Sequence, residues 1–106
     1  MDHIFVYITA QDKQEAKEIA STLINERLAA CANIIDGMSS VYRWEDKIVE
    51  DSEVILIAKT RNELFNDVAQ RVRQLHSYST PCIVALPLVE GSSDFLNWIS
   101  EETKQD

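Results

Sequence analysis

The chain begins with an unbroken apolar run and then changes to a helical pattern. Residues 4 to 8, IFVYI, are β-branched or aromatic, which is typical of a short strand covered on both faces. From Asp12 onward, apolar residues recur at helical spacing while Lys and Glu fill the outer positions. This apolar stripe consists of Ala16, Ile19, Ala20, Leu23, Ile24 and Leu28. The pattern predicts a first strand followed by a helix with Asp12 as its N-cap.

The segment from Ala30 to Thr60 is typical of a long β-hairpin. One arm runs through Trp44 and the other starts at Lys47, so the turn falls at Glu45-Asp46. Asp tolerates the positive φ of a tight primed turn, although Gly would suit it better. Gly37 interrupts the first arm and predicts a bulge or bend. Taken to Thr60, the second arm has fourteen residues and would span roughly 46 Å, longer than most strands.

The rest of the chain predicts a helix, a strand and a final helix. The second helix starts at Asn62 and must end before Pro81, and the strand CIVALPLVEG stops at Gly91. Ser92 or Ser93 can cap the last helix. One face of that helix carries Phe95, Trp98 and Ile99. The order is βαββαβ plus a C-terminal helix, so we expect an α+β, ferredoxin-like fold in a single domain, residues 1–106.

Two helices can cover only one face of a four-stranded sheet, which leaves the other face to be explained. If that face met water, alternate strand residues should be polar. The first strand is instead apolar in both phases, as is the segment VILIA at residues 54–58. We therefore expect a homo-oligomer that packs sheet against sheet. The alternative is a monomer whose last helix folds over the second face.

Composition and charge narrow the classes of function. Eighteen acidic against ten basic residues give a net charge of -8, which disfavours nucleic acid and anionic membranes as partners. The first ten residues do not resemble a signal peptide or a transmembrane span, so we expect a cytoplasmic protein. Cys31 and Cys82 form no C-x-x-C pair, and buried reduced thiols are expected.

Several segments together resemble the CutA family, the divalent-cation tolerance proteins. They are LAACANII, SVYRWEDKIVEDSEVILIAKT, YSTP and DFLNWI, in this order and at these spacings. The strongest part is the series Tyr42, Trp44, Lys47, Ile48, Glu53 and Lys59-Thr60, with Ala30-Cys31, Asn33, Tyr78, Pro81 and Trp98 in support. The resemblance implies a ferredoxin-like protomer in a tight homotrimer, similar in plan to the nitrogen-regulatory signalling trimers. The number three comes from the resemblance alone.

Two positions depart from the family pattern. The hairpin Gly of a Trp-x-Gly-Lys pattern is Asp46 here, which affects the turn geometry. The family's Tyr-Glu-x-Pro-Glu is Tyr78-Ser79-Thr80-Pro81-Cys82, so two carboxylates near the inter-subunit cleft are absent.

The resemblance also implies tolerance of divalent cations, notably copper, and points to candidate ligands. Copper ligands proposed in family members are a Cys in the first strand and two adjacent His at the end of the second helix. Carried over, these positions are Ile8, Leu75 and His76, and only His76 can bind a metal. The alternatives for His76 are a solvated cation at the helix C-terminus or a structural hydrogen-bonding role. A Mg or Ca site is not expected, because Asp12, Glu15 and the hairpin acids, Glu53 included, are expected to be solvated.

Other residues suggest a ligand cleft or a subunit interface. Aromatic and cationic side chains that could hold a planar or anionic ligand are Tyr42, Arg43, Trp44, Lys59, Tyr78 and Trp98. Tyr42 and Trp44 would equally serve as interface anchors. Since the chain has no P-loop, Ser-His-Asp order or paired-His motif, no enzyme is expected. The sequence thus predicts a non-enzymatic metal-tolerance trimer, with copper or another divalent cation as its candidate ligand. The alternative is an inter-subunit sensor of a small ligand without direct metal binding.

Overall fold

The predicted ferredoxin-like order is confirmed in the structure, a computed structural model that describes residues 2–105. Residues 1 and 106, the ends of the predicted domain, lie outside the described residues. The strands are β1 (His3–Ala10), β2 (Cys31–Trp44), β3 (Lys47–Arg61) and β4 (Ile83–Pro87). The helices are α1 (Lys13–Asn25), a 3₁₀ turn (Asn62–Leu64), α2 (Phe65–Leu75) and α3 (Ser93–Glu102). The sheet has the antiparallel order β2-β3-β1-β4.

Helices α1 and α2 cover one face of this sheet. That face carries every second residue of β1, and Ile8 is fully buried there against Ile19 and Leu23 of α1 and Val68 and Val72 of α2. Asp12 caps α1 as predicted, because its carboxylate accepts a hydrogen bond from the backbone N–H of Glu15 at 2.8 Å. The core therefore lies between the helices and one side of the sheet.

The long hairpin extends beyond this core. Its turn lies at Glu45 and Asp46, whose φ angles of 51° and 64° confirm the predicted primed geometry. The predicted irregularity at Gly37 is also confirmed, because the β2–β3 register shifts by one residue between Ile35 and Met38. The protein measures 44 × 26 × 21 Å, and its radius of gyration of 14.2 Å exceeds the roughly 13 Å of a compact chain this long.

The second face of the sheet is left largely uncovered by the described residues. Large apolar side chains are exposed there and on the hairpin, among them Ile35, Val41, Ile48, Val84 and Leu86. Helix α3 covers only the end of the sheet at which β1 begins and β3 ends. Its Ile99 is buried, whereas Phe95 and Trp98 stay about two-fifths exposed.

Strand β4 and the second helix differ from the sequence prediction, whereas α3 begins where the sequence predicts it. Strand β4 ends at Pro87 instead of Gly91, because the Leu88 N–H bonds to the oxygen of His3, where β1 begins, and β1 offers no further partner. The second helix opens as a 3₁₀ turn before α2 starts at Phe65. Ser92 is the N-cap of α3, but its side chain makes no capping hydrogen bond. Among residues 2–105, no helix is long and apolar enough to cross a membrane.

We predict that Asp46→Gly stabilises the protein. Asp46 holds a left-handed backbone conformation that Gly adopts without a Cβ penalty, so the free energy of unfolding should rise by about 1 kcal/mol. Urea unfolding followed by circular dichroism at fixed protein concentration measures this change. Ser40→Gly, in the extended part of β2, is the control and should lower stability. A loss of stability in Asp46→Gly would contradict the role assigned to the turn.

Candidate functional site

A cleft of about 610 Å³ lies between the long hairpin and the loop that joins α2 to β4. The end of β1, both hairpin strands and the loop contribute to it. Its lining consists of Thr9, Ser40, Val41, Tyr42, Trp44, Glu53, Tyr78, Ser79, Thr80 and Cys82. This volume is typical of small-molecule sites, so the cleft is the candidate functional site.

A buried carboxylate and a phenol connect the two walls of the cleft. Glu53 of β3 is only 8% exposed, and its Oε2 accepts a hydrogen bond of 2.8 Å from the hydroxyl of Tyr78 in the loop. The sequence interpretation of Glu53 as a solvated acid is therefore wrong. Burial, followed by the hydrogen bond to Glu53 and its charge, raises the pKa of Tyr78 well above its ordinary value. The phenol consequently remains a hydrogen-bond donor at neutral pH.

His76 anchors this loop to the end of β1. Its side chain is fully buried, and Nε2 lies 2.7 Å from the carbonyl oxygen of Thr9. Nδ1 accepts a hydrogen bond of 3.1 Å from the backbone N–H of Tyr78, so the ring proton resides on Nε2 and is donated to Thr9. The interpretation of His76 as a solvated helix-end cation is wrong because no part of the side chain reaches water.

Metal binding by His76 stays a prediction, and it would require one of the existing hydrogen bonds of the ring to break. Both ring nitrogens are already engaged, so a metal ion would have to displace either the Thr9 carbonyl or the Tyr78 N–H. Within residues 2–105, no three or more His, Cys, Asp or Glu side chains are grouped so that they could hold a metal ion.

Glu15 holds the same loop from the side of α1. Its Oε1 accepts a hydrogen bond from the Gln11 N–H at 3.0 Å, and its Oε2 accepts one from the Ser77 N–H at 2.8 Å. The residue is 9% exposed, so the expectation of a solvated acid is wrong. Burial opposes ionisation, but the hydrogen bonds from Gln11 and Ser77 outweigh it, and the net effect lowers the pKa of Glu15.

The sequence contains a signal for the role of Glu15. Asp12 and Glu15 form a D-x-x-E segment at the start of the predicted helix, which is the pattern of a capping box. In such a box the acid three residues after the cap accepts from the N–H of the cap residue, and Glu15 makes the closely related bond to the N–H of Gln11, one residue before the cap. The bond to Ser77 has no such signal, since it joins residues 62 positions apart.

The six residues predicted for a cleft or an interface fall into two groups. Tyr42, Trp44 and Tyr78 meet in the cleft. Lys59 lies elsewhere, where its Nζ donates to Asn33 Oδ1 at 2.7 Å and sits 5.7 Å from the centre of the Phe95 ring. Arg43 and Trp98 also lie outside the cleft lining. For these three residues, a place at a subunit interface stays a prediction.

Both cysteines are free and half-buried. Cys82 lines the cleft, where burial and the charge of Glu53 raise the pKa of its thiol. Burial also raises the pKa of Cys31, although Lys59 opposes the shift. Both sulfur atoms are therefore protonated at neutral pH, which makes them weak nucleophiles and weak metal ligands.

We predict that Glu15→Ala destabilises the protein by about 1–3 kcal/mol, because the backbone N–H groups of Gln11 and Ser77 lose the largely buried carboxylate that accepts from both. The pH dependence should change with it. Since folding lowers the pKa of Glu15 from its ordinary value of 4.5, its contribution is present above pH 4.5 and is lost as the pH falls through the lower, folded-state pKa. Urea unfolding at pH 7 and at a series of acidic pH values measures both effects.

Glu18→Ala is the matched control for Glu15→Ala. Glu18 lies on the exposed side of α1 and accepts only from Gln14, so its removal should change stability by less than about 0.5 kcal/mol. Equal losses in the two variants would show that the buried carboxylate of Glu15 has no special role.

Known proteins are similar to this chain over most of its length. The family model described as CutA1 divalent ion tolerance protein matches residues 4–102. The divalent-cation tolerance protein CutA of Thermus thermophilus is 46% identical over 98 residues, covering 92% of this chain and 95% of that protein. The chloroplastic protein CutA of Arabidopsis thaliana is 41% identical over 101 residues, and this chain spans only 56% of its length.

The fold comparison agrees with the sequence comparison. The crystal structure of CutA1 from Oryza sativa matches with a TM-score of 0.96 at 39% identity, covering 100% of this chain and 97% of that one. The resemblance found in the hairpin and loop residues is thereby confirmed. The chain belongs to the family of CutA1 divalent ion tolerance proteins.

Proposed function

We propose that this protein is a non-enzymatic, cytoplasmic homotrimer that contributes to tolerance of divalent cations, copper among them. The observation that carries the proposal is the family match over residues 4–102, together with a relative named for divalent-cation tolerance. The two free cysteines fit a reducing compartment.

The absence of catalysis in this proposal rests on the chemistry of the cleft. A cysteine nucleophile needs a lowered pKa or an adjacent base, and Cys82 has a raised pKa. The imidazole of His76 is the natural base for such a pair. Its two ring nitrogens are already used to hold the loop against β1, so it is not available for proton transfer.

The uncovered face of the sheet supports the assembly. Its apolar side chains need a covering surface, and a second copy of the chain offers a matching sheet. The exposed apolar residues of the long hairpin, such as Ile48 at 69% exposure, suit contact with a neighbouring subunit. The number of subunits follows from the family resemblance.

We predict a light-scattering mass of three times the chain mass of 12.1 kDa. Val84→Lys places a charge on the uncovered face opposite Tyr7, so it should dissociate the assembly. Ile24→Lys is the control, because Ile24 is a similarly large, exposed apolar residue but belongs to α1. A 12.1 kDa species for the unmodified protein would overturn the trimer.

We predict that direct copper binding, if it contributes to tolerance, depends on His76. Calorimetric titration with Cu(II), and with Cu(I) under reducing conditions, should show binding that weakens at least about tenfold in His76→Ala. His3→Ala removes the other imidazole, which bonds to Ser100, and should leave the isotherm unchanged. Light scattering and circular dichroism establish that both variants assemble and fold.

Two results would contradict direct binding through His76. The absence of heat at micromolar metal would exclude direct binding of any kind at that affinity, and the tolerance role would then be indirect. An isotherm that is the same in His76→Ala and in the unmodified protein would remove His76 from the metal site.

A second candidate function is supported by the cleft itself. A cavity of about 610 Å³ with three aromatic walls and one buried carboxylate is larger than a metal ion requires and has the size of a small-molecule site. On this proposal the protein senses a small ligand and the effect on metal tolerance is indirect.

A further inference from the structure

The charge of the cleft has one sign. Of the described residues that line it, none is Lys, Arg or His, and Glu53 is the one that carries a carboxylate. Asp51 adds a second negative charge nearby, since its Oδ2 lies 3.5 Å from the hydroxyl of Tyr42. An anionic ligand would be desolvated here without a compensating charge, which is unfavourable. The sequence-based expectation that this cleft could hold an anion therefore does not suit its geometry.

Glu53 has an oxygen atom left for a ligand. Its Oε2 accepts the hydrogen bond from Tyr78, and no described residue donates a hydrogen bond to Oε1. The carboxylate is 8% exposed, and it lines the cleft. Since no buried side-chain N or O atom among the described residues lacks a hydrogen-bond partner, Oε1 is accessible from the cleft, and a donor that carries positive charge can bind it there.

The aromatic residues add a second attraction for the same kind of ligand. Tyr42, Trp44 and Tyr78 line the cleft around Glu53, and Tyr42 and Trp44 are about two-fifths to one-half exposed. The faces of aromatic rings attract cations, and such groups of rings recognise ammonium ligands in other proteins. The apolar part of a ligand can pack on the same rings and on Val41.

From this arrangement we propose that the cleft binds a small organic cation, an amine or quaternary ammonium with an apolar body, at Glu53 between Tyr42, Trp44 and Tyr78. The inference rests on the ligand-sensing function proposed above and names its ligand class. A hard metal ion fits less well, because Ca²⁺ needs six to eight oxygen ligands and the lining offers a single carboxylate.

Three probes that share one benzyl or phenyl group but differ in charge can test the proposal. They are benzyltrimethylammonium, benzyl alcohol and benzoate. Trp98→Phe leaves Trp44 as the sole tryptophan, so its fluorescence reports on the cleft. We predict saturable quenching by the cation in the millimolar range, at least about tenfold weaker binding of the alcohol, and no binding of benzoate.

Variants in the Trp98→Phe background locate the site. Glu53→Gln keeps the shape and an acceptor for Tyr78, and it should weaken cation binding about tenfold. Tyr42→Leu removes one aromatic wall and should weaken it about two- to fivefold. Glu18→Gln removes the same charge outside the cleft and should leave binding unchanged. If Glu53→Gln fails to fold, the three probes on the Trp98→Phe protein and the Tyr42→Leu variant still test whether the cleft prefers a cation.

The outcomes distinguish the choice of a cationic ligand from the ligand-sensing function on which it rests. Benzyl alcohol or benzoate binding as tightly as the cation would overturn the cation inference while the ligand-sensing function stands. No fluorescence change with any probe would overturn the ligand-sensing function as well. If no probe binds and Glu53→Gln lowers the light-scattering mass, a neighbouring subunit occupies the cleft, and the proposal is likewise wrong.

Discussion

The loop between α2 and β4 depends on one buried carboxylate. Glu15 accepts the Ser77 N–H, and the adjacent His76 ring bridges the Thr9 carbonyl and the Tyr78 N–H. The loop crosses a region with no regular backbone partner, so these side chains satisfy polar groups that strand or helix hydrogen bonds would otherwise satisfy. Removing the carboxylate would leave the Ser77 N–H without its acceptor, and the contacts to His76 and Glu53 alone would then hold Tyr78 in place.

This loop in turn closes the cleft. Tyr78 reaches across to Glu53 on the hairpin, so a chain of hydrogen bonds runs from the first helix through the loop to the third strand. The aromatic wall on the other side comes from the outer part of β2, which lies beyond the core. The same outer hairpin carries the exposed apolar residues that suit a neighbouring subunit. The proposed assembly and the proposed ligand site therefore share one structural element, so that each should influence the other.

The sequence predicts the secondary structure of the protein better than the surroundings of its site residues. Helical spacing, the Glu45-Asp46 turn and the Gly37 irregularity each depend on neighbouring residues, and all three are present in the structure. The burial of Glu15 and Glu53 depends on partners far away in the chain, Ser77 and Tyr78, so local patterns treat both as surface acids. The same limit applies to His76, whose position after a helix suggests solvent although the fold surrounds it.

Gly37 has a consequence for how mutations can act on the cleft. Side chains of opposed residues lie on the same sheet face, and Ile35 opposes Ile55 whereas Met38 opposes Glu53. Before the bulge, the odd-numbered residues of β2 lie on this face of the sheet, and after it the even-numbered residues do. Tyr42 and Trp44 therefore lie on the same face as Glu53. If the bulge were straightened without loss of a residue, the outer part of β2 would pair one residue out of step with β3, and Tyr42 and Trp44 would turn to the opposite face of the sheet. The cleft would then lose its aromatic side without losing any aromatic residue, so its lining depends on the backbone conformation near Gly37 as much as on the side chains themselves.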